Sequence, residues 1–311
     1  MSPDTTARAS RTAGVAYAGA AYLLWGVLPL YFLLLAPTGP WEVVAWRVLL
    51  SFVFCLVLLT VTRGWRALGV IVRQPKLLGL TALAGVLIYA NWQVFLIGTL
   101  TEHVVETSLG YFINPITTVL LGVFVLKERI RAAQWAAIGI AAVAVLVIVV
   151  VYGSFPWIAL SLTASFGIYG LIKKQIGPAV DAVSGLTLES FWLIPIAVVQ
   201  LIVVGTTPEG ITMGQHGVWH AVLLSFAGVA TAVPLLLFAA GTRRIDLTVI
   251  GMIQFITPIM QFLLGVFVLG EAMPPARWAG FVLVWIAITV FLVDLVVAGR
   301  RGRSAEKAEL V

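Results

Sequence analysis

The sequence predicts an all-α polytopic membrane protein, with ten transmembrane helices arranged as two inverted five-helix repeats. Three observations carry that expectation. Of the 311 residues, 61% are hydrophobic and 10% charged, and the mean hydropathy is +1.08, whereas a soluble domain carries about 25% charged residues. The apolar residues fall into runs of about 20, the length a helix needs to cross a bilayer. Finally, the stretch Gly110 to Trp135, GYFINPITTVLLGVFVLKERIRAAQW, returns in altered form from Ile253 to Trp278. Such self-similarity marks an internally duplicated membrane protein.

Taken in order, the ten runs span roughly 14–35, 41–61, 77–98, 104–126, 133–152, 156–174, 182–204, 219–241, 247–269 and 276–298. The first is preceded by Arg8 and Arg11. It is too long for the apolar core of a cleaved signal peptide, and Pro37 follows the one plausible cleavage point at Ala36, so it reads as a retained helix. The organisation that follows is a cytoplasmic tail over 1–13, a first repeat over 14–152, a second over 153–298 and a cytoplasmic tail over 299–311. Both polar ends are expected to be disordered. One cysteine, Cys55, excludes an intrachain disulfide and a cysteine metal cluster.

Orientation follows from the basic residues. With the N-terminus inside, every lysine and arginine except Arg47 and Arg277 falls in a cytoplasmic stretch, while Glu42, Glu102, Glu209 and Glu271 fall outside. Both termini are therefore expected in the cytoplasm. The pI of 9.7 thus reflects topology, and no nucleic-acid partner is expected. Trp41, Trp65, Trp135, Trp157, Trp219 and Trp278 lie at or near run ends, where an indole sits in the membrane interface.

The duplicated stretch aligns without gaps at an offset of 143 residues, 110 onto 253. Leu121 to Leu126 match Leu264 to Leu269 letter for letter, and Pro115, Glu128 and Trp135 match Pro258, Glu271 and Trp278. Five helices per half is an odd number, so the second half enters the membrane from the opposite side. Two-fold relations of this kind are found in alternating-access carriers, whose binding site lies near the midplane.

The fourth run shows Thr107, Tyr111, Asn114, Thr118 and Gly122 on one helical face, and the ninth shows Ile250, Gln254, Thr257, Gln261 and Gly265. Polar side chains at membrane depth rarely face lipid. The bland reading is helix-to-helix hydrogen bonding with close packing at the glycines. The sharper one is a solute site at Tyr111, Asn114, Gln254 and Thr257, beside the hinge candidates Pro115 and Pro258, each of which frees a carbonyl one turn earlier. The third run adds Tyr89, Asn91, Trp92 and Gln93, opposite Thr231 and Pro234 in the eighth. The first adds the aromatic stripe Tyr22, Trp25, Pro29 and Phe32, with Trp25 the candidate for the cavity wall and core packing the alternative.

Two charges lie inside runs. Arg47 is about 9 Å below the outer end of the second, and Glu189 about 10 Å above the inner end of the seventh. Each costs about 2.5–3.5 kcal/mol unless paired, hydrated or snorkelling. Arg47 is a candidate to hold a substrate carboxylate and Glu189 a candidate for proton coupling. In the bland reading Arg47 snorkels and Glu189 bonds a neighbouring hydroxyl.

No Walker A loop is present, and no nucleophile, base and orienter converge, so an enzyme is not expected. His216 and His220 have i, i+4 spacing but no third ligand nearby, so no metal site is expected, and no cofactor.

The motifs AYLLWGVLPLYF, EVVAWRVLLS, NWQVFLIG, ETSLGYFINPITTVLLGVFVLKERI and MIQFITP, read from Gly14 to Ala298, resemble the EamA type of the drug/metabolite transporter superfamily, and within it the RarD branch, the chloramphenicol-sensitive proteins. Phe255 stands where the branch carries a tyrosine. The resemblance implies a bacterial inner-membrane permease, an exporter of small metabolites or drugs. It places helices one to four and six to nine around a central cavity and five and ten at the periphery. The expected function is a secondary active or facilitative transporter; the alternative is a non-transporting membrane scaffold or accessory subunit. The expected partners are a small-molecule substrate and the lipid bilayer, with a homodimer the further assembly allowed.

Overall fold

A computed structural model describes residues 3–127, 130–152, 155–177, 179–242, 244–245 and 253–309. Glu128 of the first duplicated stretch and Ile250 of the ninth run's face lie outside these residues. Eleven helices are described, and no strand occurs among the described residues. They are α1 Pro3–Leu33, α2 Pro40–Val61, α3 Trp65–Val72, α4 Pro75–Leu100, α5 Val104–Leu126, α6 Ala132–Val147, α7 Trp157–Ile176, α8 Ala182–Gly205, α9 Gly217–Thr242, α10 Ile256–Leu263 and α11 Pro275–Glu309.

Local chemistry sets several of these boundaries. Pro40 and Pro75 open α2 and α4, where a missing N–H costs nothing. Asp181 caps α8 by accepting from the N–H groups of Val183 and Ser184 at 3.1 and 3.0 Å. α6 continues into a wide turn over Ile148–Tyr152, and α10 into another over Leu264–Val268, where the Leu269 N–H donates five residues back to the Leu264 carbonyl at 2.9 Å.

Among the described residues eight helices are long and apolar enough to cross a membrane, and Trp157–Lys173 and Ile256–Val268 form shorter apolar helices. Val53, Val57 and Val61 of α2 and Val199 and Val203 of α8 point outward as exposed apolar rows at helical spacing, as lipid-facing surfaces do. The chain is a polytopic membrane protein.

Three features depart from the expectation. The polar ends are helical: α1 begins at Pro3 and α11 runs to Glu309. Residues such as the Ala305, Glu306, Lys307, Ala308 run extend a helix already nucleated in the membrane at little cost. The connection between the second and third runs holds α3, whose Ile71 is buried and whose apolar residues Trp65, Leu68, Ile71 and Val72 recur at three- to four-residue steps, too briefly to register as a span. The ninth run, expected over 247–269, is described as helix only from Ile256, apart from Ile253. Pro258 therefore lies in the first turn of α10 rather than inside it, while Pro115 lies within α5.

The packing interleaves the two ends of the chain. α1 packs on α9 and α7 on α4; α2 packs on α9 and α8 on α4; α1 packs on α10 and α7 on α5; α2 pairs with α8, α5 with α10 and α6 with α11. Exchanging α1 with α7, α2 with α8, α4 with α9, α5 with α10 and α6 with α11 turns each of these contacts into another of them or into itself.

Two glycines mark one mirrored pair of close crossings. A Cβ on Gly85 of α4 would lie 2.9 Å from the Glu189 carbonyl oxygen on α8, and one on Gly228 of α9 would lie 2.5 Å from the Leu50 carbonyl carbon on α2. Gly85 and Gly228 stand at the same 143-residue offset, within matching Ala-Gly-Val triplets. At both places backbone meets backbone with no side chain between.

Candidate solute-binding cavity

α1, α2, α4, α5, α7, α9 and α10 converge on one cavity of about 90 Å³. α6 and α11 pack against each other, and among the described residues none of theirs lines its wall. Of the residues expected to bind solute, Trp25, Arg47, Asn91, Trp92, Tyr111, Asn114, Gln254 and Thr257 all line it, as does the hinge candidate Pro258. Tyr89 does not line the cavity; it sits by Gln200 of α8. Phe95 and Phe166 complete an aromatic wall. Phe95 was within reach of the sequence: it is one turn beyond Asn91 and stands 143 residues before Phe238, which packs on Tyr22 and Trp25.

The polar wall is built by backbone irregularity as much as by side chains. Pro29 has no N–H to offer the Trp25 carbonyl one turn back, and Gln261 Nε2 takes that carbonyl at 3.2 Å. Thr257 Oγ1 donates to the Tyr22 carbonyl at 2.6 Å. These two bonds tie α10 to α1 along one side of the cavity. On the other side Tyr111 OH donates to Asn91 Oδ1 at 3.3 Å, and Asn91 Nδ2 donates to the Leu162 carbonyl at 3.1 Å and Ser165 Oγ at 3.2 Å. Thr107 and Thr118, from the same predicted stripe, donate to the Val104 and Asn114 carbonyls within α5, not to another helix as the bland reading expected.

Arg47 is 4% exposed. Its Nε donates to Thr231 Oγ1 at 2.6 Å, and its guanidinium carbon lies 4.3 Å from the Trp92 ring centroid and 5.4 Å from that of Phe32. A desolvated cation over an aromatic face gains about 2 kcal/mol, which offsets part of the burial cost. Nη1 has no hydrogen-bond acceptor among the described residues. The side chain does not snorkel; it is held inward by Thr231 and Trp92.

Glu189 is separate from the cavity. Its Oε1 accepts from Lys173 Nζ at 2.6 Å and its Oε2 from Tyr169 OH at 3.1 Å. Lys173, which sequence reasoning assigned to topology alone, is thus the counter-charge of a buried carboxylate.

Three carboxylates accept backbone N–H bonds from neighbouring segments. Glu42 accepts from Thr212 N–H at 2.9 Å and Met213 N–H at 3.1 Å. Glu106 accepts from Ile158 N–H at 3.0 Å, and Glu271 accepts from Val105 N–H at 3.0 Å and from Val104 N–H. Thr38 joins Thr212 and His220 at 2.7 and 2.9 Å, so His220 fastens α9 to the connection between α1 and α2. Burial pushes the Glu271 carboxyl above the usual carboxylate range, against the opposing pull of the Val105 and Val104 N–H groups, Arg277 and His103. A carboxyl raised on folding adds stability below its unfolded value, about pH 4.3, and that contribution is lost as pH rises through the folded value. The melting temperature of the native protein relative to Glu271→Gln is therefore expected to fall between about pH 4 and 7; thermal unfolding in detergent across that range checks it, and a constant difference counts against it.

A bundle of apolar helices around an aromatic cavity with a few fixed polar groups has the features of a solute site within a membrane protein. Residues 12–150 match the EamA-like transporter family. Protein RarD of Streptomyces exfoliatus is 42% identical over 95% of this chain and 93% of its own length, and Protein RarD of Salmonella typhimurium is 40% identical over 93% and 97%. A crystal structure 17% identical in sequence superposes with a TM-score of 0.58 over 89% of this chain and 96% of that one. The chain belongs to the EamA-like transporter family and, within it, to the RarD branch.

Proposed function

We propose that the protein is a secondary carrier that moves a small organic solute across the bacterial inner membrane by alternating access. Its halves 14–152 and 153–298 act as inverted repeats, its termini lie in the cytoplasm, and its working direction is export. The observation that carries this reading is the cavity itself, built by helices from both halves whose contacts persist when the halves are exchanged. Pro115, inside α5 one turn from Tyr111, is the natural place for that helix to flex. Glu189, held by Lys173 and Tyr169, is the proton-coupling group of this scheme.

A thermal-shift screen of the purified protein against amino acids, amines and antibiotics selects a bound solute, and counterflow of that solute in proteoliposomes tests transport. Tyr111→Leu, Asn114→Leu and Gln254→Leu are each expected to remain monodisperse and to lower flux about tenfold, the equivalent of ~1.4 kcal/mol of binding or barrier. A scaffold would show no counterflow in the native protein and lost assembly in the variants. Glu189→Gln is expected to remove the dependence of flux on an imposed pH gradient; a dependence that survives sinks the coupling role.

A further inference from the structure

Among the described residues three charged side chains are buried, and the neighbours of two of them suit their charge. Glu42 is 1% exposed and engaged by the Thr212 and Met213 N–H groups and by Trp46 Nε1. Glu189, equally buried, is engaged by Lys173 and Tyr169. Arg47 alone among these three contributes to the cavity wall, no acidic residue contributes to that wall, and no ion pair is formed by Arg47 among the described residues. Its neighbours hold it in place without neutralising it: Thr231 takes Nε, Trp92 and Phe32 supply ring faces, and Nη1 is left without an acceptor.

A guanidinium fixed in this way, in a low-dielectric cavity walled by Trp25, Trp92, Phe95, Tyr111 and Phe166, suits a partner of defined chemistry: an anionic oxygen for Nη1, on a molecule whose remainder is apolar and flat. Deepening the carrier reading, on which it rests, we infer that the solute is an amphipathic organic monoanion, an aromatic or apolar carboxylate that supplies the missing counter-charge of Arg47. A neutral analogue leaves the cation unpaired, and an ammonium analogue repels it, so both are selected against. Transport of such a solute uncoupled from protons moves one negative charge per cycle.

Three molecules with one body separate the chemistry: 3-phenylpropanoate, its amide 3-phenylpropanamide, and 3-phenylpropylamine. With the full-length protein in detergent at pH 7, the carboxylate is expected to bind at least about tenfold more tightly than either of the others, read from thermal shifts over a concentration series. Arg47→Gln is expected to bring the carboxylate-to-amide ratio to about one, and Arg47→Lys to restore part of it. The native-protein comparison stands even if both variants fail to fold. A carboxylate that binds no better than its amide, including one that does not bind, overturns the inference. Counterflow separates the two levels: carboxylate preference without flux refutes the carrier and leaves this inference standing, whereas flux of another solute without carboxylate preference does the reverse.

Discussion

Lys173→Met is expected to unfold with about 3 kcal/mol less stability than the native protein, the lower end of the range for breaking a buried ion pair by removing one partner. The lower end applies because the Lys173 side chain is 31% exposed, whereas that of Glu189 is 1% exposed. The loss arises from the carboxylate left behind, which retains only the Tyr169 hydroxyl at 3.1 Å. Restoring neutrality by a second change should therefore recover most of the loss, and Lys173→Met/Glu189→Gln is expected to melt closer to the native protein than the single variant does. Thermal unfolding of the native protein and the two variants in one detergent measures this. Equal melting of the single and double variants would show that charge is not what the pair contributes.

Gly228→Ala is expected to have the other large effect, costing about 3 kcal/mol or more, at or beyond the top of the usual range for overpacking. The added Cβ would lie 2.5 Å from the Leu50 carbonyl carbon and 2.7 Å from its oxygen, and backbone atoms in the middle of a helix cannot swing aside as a side chain can. α2 and α9 must separate, which disturbs Arg47 and Thr231 a turn away. Gly139→Ala in α6 is the control: its Cβ meets nothing within 4 Å, so it should be neutral or gain up to about 1 kcal/mol from helix propensity. Chromatographic recovery and melting temperature distinguish the two, and a Gly228→Ala protein as stable as the control contradicts the crossing.

The helices were legible where apolarity and length speak together. α5 spans 104–126 as expected, and α2 and α8 differ from expectation by a single residue at one end. What was missed depends on other forces. α3 is amphipathic and short, and the helical tails follow local propensity that a polar composition disguises. In the cavity, Arg47, Asn91 and Gln254 stood out because a polar residue in an apolar helix demands a reason. Phe166 offered no such contrast. Tyr89 was grouped with Asn91 by closeness in sequence, but two residues along a helix is about 200° of turn, which puts it on another face. Lys173 raised no further question for the opposite reason: a cation near a helix end satisfies the topology rule so readily that its buried partner, sixteen residues on, is not sought. The 143-residue offset held more than was taken from it, since it also pairs Gly85 with Gly228 and Phe95 with Phe238.

The paired glycine crossings have a mechanical consequence. Where two helices touch through bare backbone there is no slack to take up, so any relative tilt has its fulcrum at that point and its amplitude grows along each lever arm. Ten residues from the contact, about 15 Å along the axis, a tilt of about 10° displaces a helix end by roughly 2.6 Å, while the atoms at the pivot scarcely move. Both fulcrums join a helix from 14–152 to one from 153–298, so a small rotation between those stretches would move the helix ends most and the crossings least.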